Sequence, residues 1–255
     1  KNQNQMRNLS VLLALFGLSL FQGSPESKAL AKQIYDHTRS DVSIYTQLNF
    51  NKQVSGNREN GISIVHFYKE SDGQSLALRE EYEKFASDNK GIFRIGAVDC
   101  EEFQAICSKE KIETFPAIRL YPQFPAPVQD FKFEGTFEQK QLKKIAARFY
   151  TDKSIEITQN NHQTFVQEDP STPKVLLFTN AKKGTPFVYK ALSQNFEKTL
   201  QFGIVRESEN SLAQKYKVKK FPALFVLKSE GKPIKYDKPE FSYAEIFEFL
   251  NVHSQ

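Results

Sequence analysis

The feature that most constrains the fold of this chain is an order of elements that occurs twice. In each half, an apolar strand, a helix, a second strand and a second helix precede a Phe-Pro-Ala triplet, and two strands and a helix follow it. The triplets are residues 115–117 and 221–223. An internal repeat of this kind indicates two copies of one fold. The pattern predicts an α/β chain of two tandem domains, at 41–150 and 155–252, joined by a linker near 151–154.

Residues 62–85 join an apolar strand to a helix through a short polar turn. Residues 62–68 are mostly β-branched or aromatic, and Leu78, Tyr82 and Phe85 recur at helical spacing. Ser71, with Gln74 three residues later, predicts a capping box at the start of the helix. Capping alone would account for the polar turn, and a recognition role for the loop is the alternative.

This stretch resembles the active-site segment of protein disulfide isomerase and thioredoxin domains, Phe-Tyr-Ala-Pro-Trp-Cys-Gly-His-Cys. Phe67 and Tyr68 align with its start without a gap, and Leu78, Glu81 and Tyr82 align with the helix that follows it. The resemblance implies that both domains are thioredoxin-like, each with a central mixed β-sheet flanked by helices. The second domain resembles the redox-silent b-type domains of that family.

The chain departs from the family pattern at its chemical centre. Asp72 and Ser75 replace the two cysteines, so that the motif is Asp-Gly-Gln-Ser, and His66 stands where the family usually keeps a buried glutamate. Disulfide exchange needs a thiolate nucleophile and a resolving thiol. The resemblance therefore implies a redox-inactive domain, and we predict no catalytic residue in it.

A second segment of the family faces the active-site turn and contains a proline after a cis peptide bond. Residues 112–118 resemble it and predict a cis bond at Phe115–Pro116, with Pro222 as the equivalent in the second domain. The resemblance implies that the backbone before this proline pairs with an extended peptide by strand addition; alternatively, the proline is only a hallmark of the fold. The predicted peptide-binding residues are Ser71, Asp72, Gly73, Gln74, Ser75, Thr114, Phe115 and Pro116.

Cys100 and Cys107 are the only two cysteines in the chain. Some disulfide isomerase domains carry a structural bridge at this place, and the resemblance implies one here. Paired free thiols and a redox switch are the alternatives. The spacing matches neither a redox Cys-x-x-Cys motif nor a zinc site.

The N-terminal residues 1–31 have the pattern of a signal peptide and leader. Lys1 and Arg7 precede an apolar run at 9–21, which is too short to span a bilayer comfortably. We therefore expect an oxidising secretory compartment, and association with a membrane only if the leader is uncleaved. The family resemblance suggests the lumen of the endoplasmic reticulum, although residues 251–255 are not a KDEL-type signal. Secretion and membrane tethering are the alternatives.

Charge and histidine placement argue against several other classes of function. The net charge of +5 is mild, and the lysines are not interleaved with a nucleic-acid motif. We therefore expect no nucleic-acid partner. The four histidines are scattered, and we expect no metal and no cofactor. His66, on an apolar strand, is predicted to be a core histidine with its hydrogen bonds satisfied.

Together these patterns predict a non-catalytic, chaperone-like protein of the disulfide isomerase family that binds unfolded polypeptide or a partner protein. Two alternatives stay open. One is a structural subunit of a larger assembly, and the other is a residual thiol-disulfide oxidoreductase that uses Cys100 and Cys107.

Overall fold

Two five-stranded β-sheets organise the chain in the computed structural model, which describes residues 34–36, 38–133 and 135–254. The first sheet has the order β1-β3-β2-β4-β5. Its strands are β1 (Ser43–Ile44), β2 (Ser63–Tyr68), β3 (Arg94–Asp99), β4 (Ala117–Tyr121) and β5 (Gln129–Phe131). Strand β3 runs parallel to β1 and β2, whereas β4 runs antiparallel to β2 and β5, so the sheet is mixed. The α-helices of this half are α1 (Gly73–Asp88), α2 (Gln104–Lys109) and α3 (Gln139–Ala146).

The second sheet repeats the first, with the order β10-β9-β7-β8-β6. Its strands are β6 (Ser154–Ile157), β7 (Lys174–Thr179), β8 (Gln201–Arg206), β9 (Ala223–Leu227) and β10 (Ile234–Lys235). The α-helices are α4 (His162–Gln167), α5 (Phe187–Asn195), α6 (Asn210–Lys215) and α7 (Tyr243–His253). Strand β8 again pairs in parallel with two neighbours, and β9 pairs antiparallel with β7. The predicted fold class, two tandem thioredoxin-like domains, is confirmed.

A buried tyrosine ties a helix to two strands at the same place in each domain. The hydroxyl of Tyr82 on α1 donates to the carbonyls of Ile64 and Gly96, at 3.1 and 3.0 Å. The hydroxyl of Tyr189 on α5 does the same to the second sheet, at 3.0 and 2.8 Å from two carbonyl oxygens. Gly96 has to lack a side chain, since a Cβ there would lie 2.5 Å from the carbonyl of Ser43 on β1. These contacts place α1 firmly over β2, and the candidate site lies at its N-terminal end.

The junction between the two domains is packed and hydrogen-bonded. Both sheets belong to one compact unit that begins at Tyr35. The ring of Phe187 lies 5.8 Å from that of Phe93 and 5.6 Å from that of Tyr150. The backbone N–H of Lys153 donates to the Ser193 hydroxyl at 3.1 Å. The segment predicted as a linker is thus held against the second domain.

Two local features of the structure differ from the sequence-based expectations. Strand β6 begins at Ser154, inside the predicted linker, and helix α4 was not predicted. Helix α3 is followed directly by a 3₁₀ turn at Ala147–Phe149. No helix in the described ranges is long and apolar enough to cross a membrane. The predicted leader at 1–31 lies outside the described residues.

Candidate functional site

The turn between β2 and α1 is closed by Asp72, which is the N-cap of α1. Its carboxylate accepts the backbone N–H of Ser75 at 2.7 Å, and its own N–H donates to the Lys69 carbonyl at 3.1 Å. The predicted capping box at Ser71 was therefore wrong by one residue. The Ser71 hydroxyl and N–H instead donate to the carboxylate of Glu101. The carboxylate of Asp72 suits this position because the free N–H groups and dipole of the helix favour a negative charge there.

Two buried polar groups lie at or beneath the positions where the family carries its redox chemistry. Ser75, which replaces the second cysteine, is fully buried, and its hydroxyl has no hydrogen-bond partner among the described residues. His66 is also fully buried; its Nδ1 lies 2.7 Å from the hydroxyl of Tyr35, while its Nε2 has no partner in the same set. The expectation of a fully satisfied histidine was therefore only half right. Burial lowers the pKa of His66 to about 3, although the nearby Asp72 carboxylate opposes the shift. His66 is thus neutral at physiological pH.

The segment opposite the turn presents Thr114, Phe115 and Pro116. The Phe115–Pro116 peptide bond is cis. Thr114 is exposed and Phe115 is half-buried, with the Lys69 ammonium 4.6 Å from the centre of its ring. This cation–π contact joins the turn to the proline loop.

A cleft of about 390 Å³ lies between helix α1, the proline loop and the segment that connects β5 to α3. Its lining comprises Gln74, Ala77, Leu78, Glu81, Thr114, Phe115, Pro116, Phe133, Gly135, Thr136 and Phe137. Leu78 and Phe137 are buried and Phe133 is half-buried, so the cleft has an apolar floor. A concave apolar site with polar groups at its rim is the usual form of a binding site.

The structure brings together half of the residues predicted to bind peptide. Gln74, Thr114, Phe115 and Pro116 line the cleft. The other four lie outside its lining, namely Ser71 and Asp72 on the turn, Gly73 as the first residue of α1 and Ser75 buried in its first turn.

The sequence interpretation missed two parts of the cleft lining. One is supplied by the second turn of α1, and the other by Phe133, Gly135, Thr136 and Phe137. Phe131, Phe133 and Phe137 precede α3, and their rings contact one another at 5.8–6.2 Å. Three phenylalanines around a glycine, between a strand and a helix, could have indicated an apolar wall. Their distance of about 60 residues from the turn hid the connection.

The cysteines lie beside the site and are joined to each other. Cys100 and Cys107 form a disulfide with their Cα atoms 5.8 Å apart, the pairing that the resemblance implied. Both are buried in an apolar cluster against which Phe115 packs. The N–H of Cys100 donates to the Tyr68 carbonyl at 2.8 Å, and the next residue is Glu101, which holds Ser71. The bridge therefore supports both walls of the site.

The second domain has the same loop but a different turn. Its Phe221–Pro222 bond is also cis. The turn at 181–184 is pinned by Arg206, whose guanidinium donates to the carbonyls of Ala181 and Gly184 at 3.1 and 2.8 Å. The same side chain pairs with Glu156 at 3.3 Å. Within the described part of the chain, no group of three or more His, Cys, Asp or Glu side chains is arranged to hold a metal ion.

Comparisons with known proteins agree with this geometry. The thioredoxin family model matches residues 41–148. A candidate protein disulfide-isomerase of Dictyostelium discoideum is 30% identical over 221 residues, which is 85% of this chain. The chain is a thioredoxin-like protein that is similar to protein disulfide isomerases. Among its relatives is also a mitochondrial thioredoxin domain-containing protein of Schizosaccharomyces pombe, 30% identical over 167 residues and 64% of this chain.

The chain also resembles a solved structure. Full-length ERdj5 aligns with 83% of the chain at a TM-score of 0.56 and 20% identity, a likeness of fold, and the chain covers 32% of ERdj5. The chain spans about half the length of the curated relatives named above, 53% of the Dictyostelium protein and 45% of the S. pombe protein.

Proposed function

We propose that this protein is a non-catalytic, chaperone-like member of the disulfide isomerase family that binds extended polypeptide reversibly in the cleft beside Pro116. The observation that carries the proposal is the cleft itself, which keeps the apolar floor and the proline loop while Asp72 and Ser75 stand in place of the thiols. Peptide binding by strand addition and apolar contact needs no sulfur. The loss of the cysteines removes covalent trapping and leaves reversible binding.

The state of the remaining cysteines supports a structural role for them. Cys100 and Cys107 are 4% and 5% exposed and are bonded to each other. A thiol that attacks disulfides has to be accessible and ionised. We therefore propose that this bridge stabilises the domain and takes no part in exchange.

We also propose that the protein works in the lumen of the endoplasmic reticulum or elsewhere in the secretory pathway. The internal disulfide supports an oxidising compartment. The mitochondrial relative from S. pombe offers a competing location. Fractionation and protease protection of the tagged protein, with its natural N-terminus intact, separate the two, and import into mitochondria would contradict the proposal.

Absence of catalysis is tested by standard thiol assays. The protein should neither accelerate the reduction of insulin nor reactivate scrambled ribonuclease. A rate close to that of an ordinary disulfide isomerase would overturn the redox part of the proposal.

The binding part is tested by suppression of client aggregation with a matched pair of variants. Gln74→Arg places a long cation in the cleft lining, whereas Leu76→Arg places the same side chain two residues along the same helix, outside the lining. Both positions are exposed, so neither variant should unfold the domain. Wild type and Leu76→Arg should keep an aggregating client in solution, and Gln74→Arg should do so less well. Equal loss in both variants, or no protection by the wild type in molar excess, would contradict binding in this cleft.

A further inference from the structure

In the described part of its lining, the cleft combines an apolar floor with one charged side chain. Its floor is formed by aliphatic and aromatic groups, among them Leu78, Phe133 and Phe137. Among the described residues that line it, Glu81 is the one that carries a charge. A cleft with an apolar floor and one charge at its rim accepts an apolar side chain and distinguishes the charges beside it.

Glu81 is free to act on an incoming peptide. It is exposed on α1, and its side chain forms no ion pair within the described ranges. Two other charged side chains nearby on the helix, Arg79 and Glu83, pair with each other at 3.6 Å. The backbone carbonyl of Glu81 accepts a hydrogen bond from Gln139 at 3.1 Å, which fixes this turn of α1 against α3.

One cation beside the cleft, Lys69, lies on the turn that precedes α1. Lys69 is outside the lining and is placed over the Phe115 ring. Glu81 follows the start of α1 by eight residues, about 12 Å along the helix axis. The two charges therefore act on different parts of a bound segment. Glu81 acts on the part that lies beside Phe133 and Phe137, and Lys69 acts on the part beside Phe115.

We propose that Glu81 makes this cleft select extended polypeptide segments in which an aromatic or aliphatic side chain is flanked by lysine or arginine. This selectivity rests on the proposed function, since it describes the ligand of the same cleft. The net charge of the whole chain is +5, so non-specific attraction would favour acidic peptides instead. A preference for basic peptides therefore reports on the local carboxylate.

The test uses three short fluorescein-labelled peptides that differ only in the residues flanking a central phenylalanine, which are Lys, Gln or Glu. Dissociation constants are measured by fluorescence anisotropy for wild type, Glu81→Gln, Glu81→Lys and the control Glu80→Gln. Glu80 is exposed on the same helix but does not line the cleft. The wild type should bind the Lys peptide roughly two- to fivefold more tightly than the Gln peptide, the range of one exposed ion pair. The preference should vanish in Glu81→Gln, reverse in Glu81→Lys, persist in Glu80→Gln and shrink as salt is added.

The outcomes separate this inference from the function on which it rests. Equal binding of all three peptides by the wild type, with all three weakened by Gln74→Arg, would overturn the selectivity and leave peptide binding intact. Persistence of the preference in Glu81→Gln would also overturn it. Failure of the wild type to bind any of the three peptides would overturn the proposed function and the selectivity together.

Discussion

Removal of the disulfide should lower the stability of the first domain by a predictable amount. The bridge joins two buried cysteines that are seven residues apart, between the end of β3 and helix α2. Two variants break it. Cys107→Ala removes the cross-link and one sulfur atom, whereas Cys100→Ala with Cys107→Ala removes the cross-link and both sulfur atoms.

The magnitude follows from loop closure and from burial. A cross-link that closes a loop of this size lowers the entropy of the unfolded chain by an amount worth about 2.5 kcal/mol at 25 °C. Each buried sulfur that is lost adds a packing cost of roughly 1 kcal/mol, because the cluster around it contracts only in part. For the compact unit that contains both domains, about 2.5 kcal/mol corresponds to a decrease of roughly 5–10 °C in the melting temperature.

Thermal unfolding followed by circular dichroism measures this loss. The single variant should already show most of the decrease, and the double variant should melt a few degrees lower still. Peptide binding should weaken in both, because Phe115 packs against the cluster that contains the bridge. A single variant whose melting temperature lies within about 2 °C of the wild type would refute the loop-closure argument.

Three further predictions concern the turn and the strand beneath it. Asp72→Ala should lower the free energy of unfolding by about 1 kcal/mol, because the N-cap hydrogen bond from Ser75 is lost. Asp72→Asn should lower it less, because the amide oxygen still accepts that bond. Urea unfolding of both variants measures the difference. Because burial lowers the pKa of His66 to about 3, the unfolded chain binds a proton that the folded chain does not, so stability is complete above about pH 6.5 and falls as the pH is lowered toward 3. His66→Gln should flatten this part of the stability profile, and an unchanged profile would show that His66 does not cause it. Asp72→Cys with Ser75→Cys should gain insulin reductase activity, and Asp72→Cys alone should form mixed disulfides that persist; a double variant that folds but stays inert would mean that more than the thiols is missing.

The fold could be predicted from the sequence because its signals are local and occur twice. Apolar runs such as 62–68 and 174–178 mark the central strands, and the repeated Phe-Pro-Ala triplets mark the same loop in each domain. Strand β6 was missed because it is short and half of it is polar, with Glu156 exposed, so it lacks the continuous apolar pattern of a central strand.

The site was predictable only where a family motif marks it. Thr114, Phe115 and Pro116 carry such a motif, and so does the turn that precedes α1. Ser75 shows the limit of this reasoning, because its alignment with a catalytic cysteine could not indicate that its hydroxyl is buried without a partner. Phe133 and Glu81 belong to elements far apart in the chain, and only tertiary packing brings them to the same cleft.

The capping error has a simple physical cause. Ser71 and Asp72 are both good N-cap residues, and spacing alone favoured Ser71 because Gln74 follows it by three. In the folded chain, Glu101 accepts hydrogen bonds from Ser71 and holds it outside the helix. A partner about 30 residues away in the sequence therefore decided where the helix begins.

Binding of a permanently unfolded client that contains no free thiol shows directly whether this cleft holds polypeptide without thiol chemistry. Reduced, carboxymethylated α-lactalbumin serves as this client, and its dissociation constant is measured by isothermal titration calorimetry with wild type, Gln74→Arg and Leu76→Arg. We expect saturable binding by the wild type, weaker binding by Gln74→Arg and unchanged binding by Leu76→Arg, since Gln74 lines the cleft and Leu76 does not. Absence of binding by the wild type, or equal affinity in all three proteins, would contradict the claim that this cleft binds polypeptide without thiol chemistry.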